Sequence, residues 1–142
     1  MRMLTLLLLL FTIAAGLNAQ DERARLKEYL NDAANEVYIT EDPAEKREIL
    51  DDMFHDLLRA FDVAEGWPLF SEDEKGTISE FKSKVAEKHD ELNGYEGYER
   101  VADKDLNAFS AYTVQDFEQS TEYVTISVIA LILIIIVVAL LL

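Results

Sequence analysis

The sequence contains no cysteine, and this absence excludes several kinds of structure and chemistry. Without cysteine there is no disulfide framework, no thiolate metal site and no thiol nucleophile. Strand signals are also scarce, since residues 37–40 form the one short β-branched and aromatic run and no partner strand is evident. No repeat or low-complexity tract occurs. These absences leave an all-α fold as the expected class.

Basic residues are few: the chain has 13 Lys and Arg against 28 Asp and Glu, for a net charge of −15. Such a surface repels nucleic acid and anionic lipid headgroups, because both need basic groups to bind. We therefore expect no nucleic-acid partner. If the charge has a function beyond solubility, the partner has a basic surface or the surroundings are rich in cations.

Motifs for catalysis and for metal binding are absent as well. The sequence has no Ser-His-Asp order, no glycine loop for phosphate and no zinc spacing. Residues 71–82 resemble the spacing of a calcium-binding loop, but Lys75 and Lys82 occupy positions that require oxygen ligands. His55 has only a D-x-x-H fragment around it and is expected to be solvated near Arg59. We predict no catalytic residue, no cofactor and no metal ligand.

The first 19 residues have the three parts of a secretory signal peptide. A basic start at Arg2 precedes an apolar run over residues 4–17, and small side chains lead to Ala19. Cleavage after Ala19 would leave Gln20 as the mature N-terminus. An uncleaved anchor is the rival interpretation, but 14 apolar residues make a helix of about 21 Å, which is short for a bilayer core of about 30 Å.

The C-terminal residues 123–142 are predicted to be a transmembrane anchor. Residues 124–142 carry no charge, proline or glycine and would form a helix of about 28 Å, while Tyr123 lies at the outer boundary. The signal peptide would place residues 21–122 outside and the C-terminus in the cytoplasm. A lipid-anchor signal is the alternative, with a small-residue site at Ser110 or Ala111 and a polar spacer before the tail.

Four helices are expected between these ends. The first covers about residues 22–38, where the apolar positions recur at helical spacing. The second begins with Asp42 as cap, Pro43 at its first position and Glu45 at N3, and ends at Gly66. The third begins with the Ser71–Glu74 capping box and ends at Gly94. The fourth begins near Asp103.

No glycine or proline separates the fourth helix from the predicted anchor, so we expect one unbroken helix from Asp103 into the bilayer. The predicted fold is thus a three- or four-helix bundle ectodomain on a helical stalk that continues into one transmembrane helix. Its segments are a signal peptide (1–19), an acidic helical ectodomain (20–102), a membrane-proximal stalk (103–122) and the anchor (123–142).

Two groups of residues are candidate functional sites. The apolar turn of Trp67, Pro68, Leu69 and Phe70 either covers the core or docks a partner. His89 lies on the apolar stripe of the third helix, where a histidine is either a core residue with one satisfied hydrogen bond or a pH-sensitive group.

The functional expectation is a non-catalytic interaction or accessory subunit of a cell-envelope assembly, in the periplasm or on the extracellular face. Its partners would be the membrane and another envelope protein, one whose surface is basic. The alternative is an anchored ligand- or metal-binding domain that uses residues 95–112 or scattered carboxylates. An enzyme is the third and weakest hypothesis.

Overall fold

The computed structural model describes residues 19–68 and 70–124, together with Ile129, Ile132, Ile135 and Ile136. Within these residues the regular secondary structure is all helical, with four α-helices and no strand. The helices are α1 (Ala19–Ile39), α2 (Pro43–Glu65), α3 (Glu72–Asn93) and α4 (Leu106–Thr121), and a 3₁₀ turn (Asp103–Asp105) leads into α4. The predicted all-α bundle is therefore confirmed, and the described residues supply four helices to it.

Local signals set the helix starts. The Asp42 side chain accepts a hydrogen bond from the backbone N–H of Ala44 at 3.0 Å, with Pro43 as the first helical residue. This cap engages the second helical position, whereas a capping box would engage the third, Glu45. Ser71 caps α3 as predicted, because its hydroxyl accepts from the N–H of Glu74 at 3.1 Å.

The two predicted stop glycines work differently. Gly94 adopts a left-handed conformation with φ of 73°, the usual role of glycine after a helix. Gly66 has φ of −81°, which any residue can adopt, although α2 does end just before it. The end of α2 is better explained by Pro68, since the residue before a proline is disfavoured in the helical region.

The helices pack as an antiparallel bundle around one apolar core. α1 lies against α2 and α4, while α3 also lies against α2 and α4. Phe117 of α4 occupies the centre, with its ring centroid 6.1 Å from that of Phe54 and 5.7 Å from that of Phe81. Both ring pairs are close to edge-to-face, an arrangement aromatic pairs prefer. Each fully buried Phe contributes about 1.5–3 kcal/mol through burial.

The fourth helix differs from the expected stalk, because it packs within the bundle. Its buried positions face α1 and α3 and include Leu106, Phe109, Thr113, Val114 and Phe117. The expectation of one unbroken helix is wrong within the described residues: α4 ends at Thr121, and Tyr123 and Val124 are held by i−3 hydrogen bonds.

Most of both apolar ends lies outside the described residues. The predicted signal peptide falls there except for Ala19, and so does most of the predicted anchor, of which Tyr123, Val124 and the four isoleucines are described. Those isoleucines are helical, and Ile129, Ile132 and Ile136 are buried. Among the described residues, no helix has both the length and the apolar character needed to cross a membrane.

Candidate functional site

The antiparallel packing gives the bundle two chemically different ends. At one, the start of α1 meets the end of α4, because the Arg23 guanidinium donates to the backbone carbonyl of Val124 at 2.8 Å. The α2–α3 connection lies at the same end, since Lys82 of α3 bonds Glu65 of α2 at 2.9 Å and Thr77 lines a cleft together with Val124. We call this the proximal end, because the chain enters and leaves the bundle here. The opposite end, with residues 38–43 and 94–105, is the distal end.

Trp67 and Pro68 are exposed at the proximal end. The Trp67 side chain is 40% exposed, and its backbone N–H donates to the carbonyl of Ala64 at 3.1 Å. Phe70 is half-buried against the core, while Leu69 lies outside the described residues. The two aromatic residues of the turn thus differ, because Phe70 packs against the core whereas Trp67 is partly exposed to solvent. Whether this candidate site binds a partner stays a prediction.

An open cleft lies at the same end of the bundle, between α3 and the end of α4. Its volume is about 540 Å³, and Phe81 lies at its apolar wall next to Val124. Lys84 spans it and donates to the hydroxyl of Ser120 at 3.3 Å. The cleft is open to solvent and its lining mixes apolar and polar groups.

The distal connection between α3 and α4 is fastened to the bundle by Arg47. Its guanidinium is buried and bonds the carboxylate of Asp103 at 2.8 Å. It also donates to the carbonyl of Val101, and to that of Leu92 at 3.3 Å. A buried guanidinium needs several acceptors to offset its lost hydration, and here one carboxylate and two backbone carbonyls provide them. Arg47 therefore fixes residues 92–103 on the start of α2.

A close backbone contact completes this fastening. A Cβ built on Gly94 would lie 3.0 Å from the Cβ of Arg100, and the Gly94 φ of 73° already favours glycine. Glu96 and Gly97 also have positive φ values, of 53° and 85°. Since three of residues 94–97 have a positive φ, the connection folds tightly back on itself and holds Tyr95 and Tyr98 at the surface.

The distal end exposes four large apolar or aromatic side chains. Tyr38 and Ile39, at the end of α1, are 73% and 77% exposed, while Tyr95 and Tyr98 are 54% and 39% exposed. The Tyr98 hydroxyl donates to Glu87 at 3.2 Å, and partial desolvation and this hydrogen bond raise the pKa of Tyr98. Carboxylates outnumber basic residues in the chain segments around these four residues. Lys88, Arg100 and Lys104 are the basic residues there, against Glu36, Glu41, Asp42, Glu87, Asp90, Glu91, Glu96, Glu99, Asp103 and Asp105.

The two histidines of the chain lie side by side. His89 is half-buried between α3 and α2, with its ring 5.1 Å from that of His55 and 6.0 Å from that of Phe54. The Nε2 atom of His89 is 3.5 Å from the carboxylate of Asp51, which also accepts from Asn93 at 2.9 Å. His89 is thus an interface residue with an acidic neighbour, in agreement with its position on the apolar stripe. Its proposed pH sensitivity stays a prediction.

Another polar pair joins α1 to α2. The Tyr29 hydroxyl lies 3.4 Å from the Asp56 carboxylate. Burial raises the pKa of Asp56, and the hydrogen bond from Tyr29 opposes that effect only in part. Burial and the adjacent carboxylate also raise the pKa of Tyr29. Within residues 19–68 and 70–124, no group of three or more His, Asp and Glu side chains is arranged to hold a metal ion.

Sequence reasoning missed two of these arrangements. Arg47 gives no local signal of its burial, because its acceptors lie 45 to 56 positions away along the chain. His55 was expected to be solvated, and it is exposed, but its proximity to His89 depends on the rotation of α2 against α3. The interruption of helical periodicity at Gly94 was the one available sign that the following connection folds onto the bundle.

Comparison with protein families, with curated proteins and with solved structures gives no significant match for this chain.

Proposed function

We propose that the chain is an exported, membrane-anchored accessory protein that binds another envelope protein through the distal end of its bundle. The observation that carries this proposal is the exposure of Tyr38, Ile39, Tyr95 and Tyr98 at one end of a strongly acidic bundle. Aromatic side chains are enriched in the cores of protein interfaces, while a charged rim steers the partner.

The chemistry of the partner follows from the charge. The surface around Tyr95 and Tyr98 carries Glu96 and Glu99 close by, so a complementary protein would present basic side chains around an apolar centre. The contacts that fasten the connection support binding, since Arg47 and Gly94 hold its backbone in place before the partner arrives. A preorganised loop loses less entropy on binding than a flexible one.

The proposal that the protein is anchored rests on the sequence of residues 124–142. The proposal that it is exported rests on the sequence of residues 1–19. The arrangement of the bundle suits both proposals, because the two apolar segments are continuous with Ala19 and Val124 at the proximal end. A membrane at that end would leave the distal end pointing away from it. The C-terminus would then face the cytoplasm, and the domain would lie in the periplasm or on the extracellular face.

Site-specific photocrosslinking tests the binding proposal. A photoreactive residue at position 98 should give one discrete adduct in intact cells, while the same residue at position 112 should give none. Tyr112 is a matched control, because it is also exposed but lies on the side of α4. Equal labelling from both positions, or none from position 98, would contradict a distal docking site.

The affinity and association rate of the captured protein then test whether the tyrosines and the carboxylates of the distal end both contribute to binding. With both proteins purified, the double variant Tyr95→Ala/Tyr98→Ala should weaken binding by about 30-fold, which corresponds to about 2 kcal/mol, the threshold for a hot spot. Glu96→Gln/Glu99→Gln should slow association and reduce its salt dependence. If the crosslinked protein binds the tyrosine double variant as tightly as it binds the wild type, this surface is not its binding site.

Protease protection tests the topology separately. Protease added to intact cells, or to spheroplasts where an outer membrane shields the protein, should remove residues 21–122. Full protection of this domain under conditions that digest a known exported control would rule out export, whatever the outcome of the crosslinking.

A further inference from the structure

The exposed Trp67 and Pro68 lie at the end of the bundle where the chain enters and leaves. Trp67 is the only tryptophan of the protein and is 40% exposed, although large aromatic side chains tend to be buried. The same end carries the exposed Tyr123 just after α4. Two amphipathic aromatic side chains therefore lie beside the proposed point of membrane entry.

The depth of Trp67 relative to that point follows from helix geometry. Thr77 of α3 and Val124 line the same cleft, and α3 runs antiparallel to α4. The first residue of α3, Glu72, is five residues before Thr77, which places it about 7 Å further along the bundle axis at about 1.5 Å per residue. The turn thus reaches beyond the level of Val124 where it joins Glu72, on the side toward which α4 points. Trp67 follows the end of α2 by two residues and lies closer to the level of Val124, since Glu65 bonds Lys82 of α3.

We propose that Trp67 and Pro68 rest in the headgroup layer of the membrane that carries the C-terminal anchor. Tryptophan is enriched at membrane–water interfaces, because its ring is apolar while its N–H can still bond polar groups. Phe70 packs against the core and holds the turn in place. The contact would orient the bundle upright and keep the distal end away from the surface. This inference rests on the proposed anchoring and adds a second point of membrane contact to it.

The charges at this end select zwitterionic headgroups. Glu72, Asp73 and Glu74 form the first turn of α3, directly after the apolar turn. The nearby Lys82 ammonium is already engaged by Asp62 at 2.6 Å and Glu65 at 2.9 Å. An anionic lipid would meet three carboxylates there against one lysine of the same turn, Lys75, whereas a phosphatidylcholine surface adds no net charge.

The single tryptophan makes the contact directly measurable. The full chain is reconstituted in phosphatidylcholine vesicles, either plain or with acyl chains brominated near the headgroup, since bromine quenches tryptophan only at short range. We expect the Trp67 emission to shift to shorter wavelength in plain vesicles and to be quenched in brominated ones. If brominated lipid does not quench the Trp67 fluorescence and soluble iodide quenches it fully, the inference is overturned. A protein partner would then be the remaining candidate to bind the turn.

Two relocated reporters separate this inference from the anchoring itself. In Trp67→Phe/Tyr123→Trp the sole tryptophan lies next to the anchor, and in Trp67→Phe/Tyr95→Trp it lies at the distal end. The first should be quenched by brominated lipid and the second should not. Quenching at position 123 without quenching at position 67 overturns the membrane contact but leaves the anchor intact. Absence of quenching at both positions overturns the contact and the anchoring together.

Discussion

Arg23 at the start of α1 donates to the backbone carbonyl of Val124 at 2.8 Å, and so closes the bundle where the chain enters and leaves it. The same guanidinium also donates to the carbonyl of Thr121, the last residue of α4. Carbonyls in the last turn of a helix lack partners within the helix, and a cation there also complements the helix dipole. Lys27 adds a salt bridge to Glu122 at 2.5 Å. Arg23 and Lys27, one turn apart on α1, therefore bond the groups at the end of α4.

One glycine within α3 and one directly after it give a matched pair of predictions for stability. Gly94→Ala should destabilise the protein by at least about 1–3 kcal/mol, because the left-handed φ is strained for alanine and the new Cβ would contact Arg100 at 3.0 Å. Gly76→Ala should stabilise it by about 0.5–1 kcal/mol, since α3 is helical there and a Cβ would meet nothing within 4 Å. Urea unfolding of both variants measures whether the two changes in the free energy of unfolding have opposite signs. Equal changes would contradict the left-handed conformation at position 94.

Arg47→Met should destabilise the protein by about 2–4 kcal/mol, because the backbone carbonyls of Leu92 and Val101 would lose a buried charged donor. Hydrogen exchange should accelerate specifically in residues 94–105. The control is the neighbouring Lys46, which is only partly buried and bonds Asn107 at 2.6 Å, and Lys46→Met should change stability by about 0.5 kcal/mol or less. An unchanged exchange rate in the connection would refute the fastening role of Arg47.

The parts of the fold that sequence alone predicted are those that depend on neighbours in the chain. Asp42 with Pro43, and Ser71 with Glu74, define helix starts within four residues. The apolar stripes likewise identified the buried faces of the first three helices, as with Leu26 and Phe81. Such signals are local, because capping and periodicity require only the helix itself.

The fate of α4 could not be predicted in this way. Leu106, Phe109 and Phe117 form a stripe that runs on toward Val124 without glycine or proline, and this pattern alone predicts a stalk that enters the membrane. The end of the helix is instead associated with Arg23, about a hundred positions earlier in the chain. The same distinction between local and tertiary signals applies to the candidate sites. The sequence shows the apolar composition of the turn at Trp67, whereas the contacts around His89 and Arg47 depend on tertiary packing.

Asp56 gives a pH prediction whose sign follows from its raised pKa. A carboxyl whose pKa is higher in the folded state opposes folding when it is ionised, so the penalty is fully present above the folded pKa. It disappears as the pH falls below the unfolded value of about 3.9. Asp56→Asn should therefore be more stable than wild type at pH 7, and this advantage should vanish on acidification.

Thermal unfolding from pH 7 down to pH 3 checks this behaviour. Glu48→Gln is the control, because Glu48 is exposed on the same helix and should not show the same pH-dependent gain. Asp52 would not serve, because its charge contributes to the raised pKa of Asp56. If the stability difference between Asp56→Asn and wild type stays constant with pH, ionisation of Asp56 does not cause it.

The last prediction separates Trp67 from the core. Phe117 is fully buried and contacts the rings of Phe54 and Phe81, so Phe117→Ala should destabilise the protein by about 3–5 kcal/mol. Trp67→Ala should cost about 1 kcal/mol or less, because the side chain is 40% exposed and truncation leaves no closed cavity. Chemical denaturation in detergent measures both variants under identical conditions. If Trp67→Ala were as destabilising as Phe117→Ala, the turn would serve to cover the core, and neither a lipid surface nor a partner would be needed to explain an exposed tryptophan.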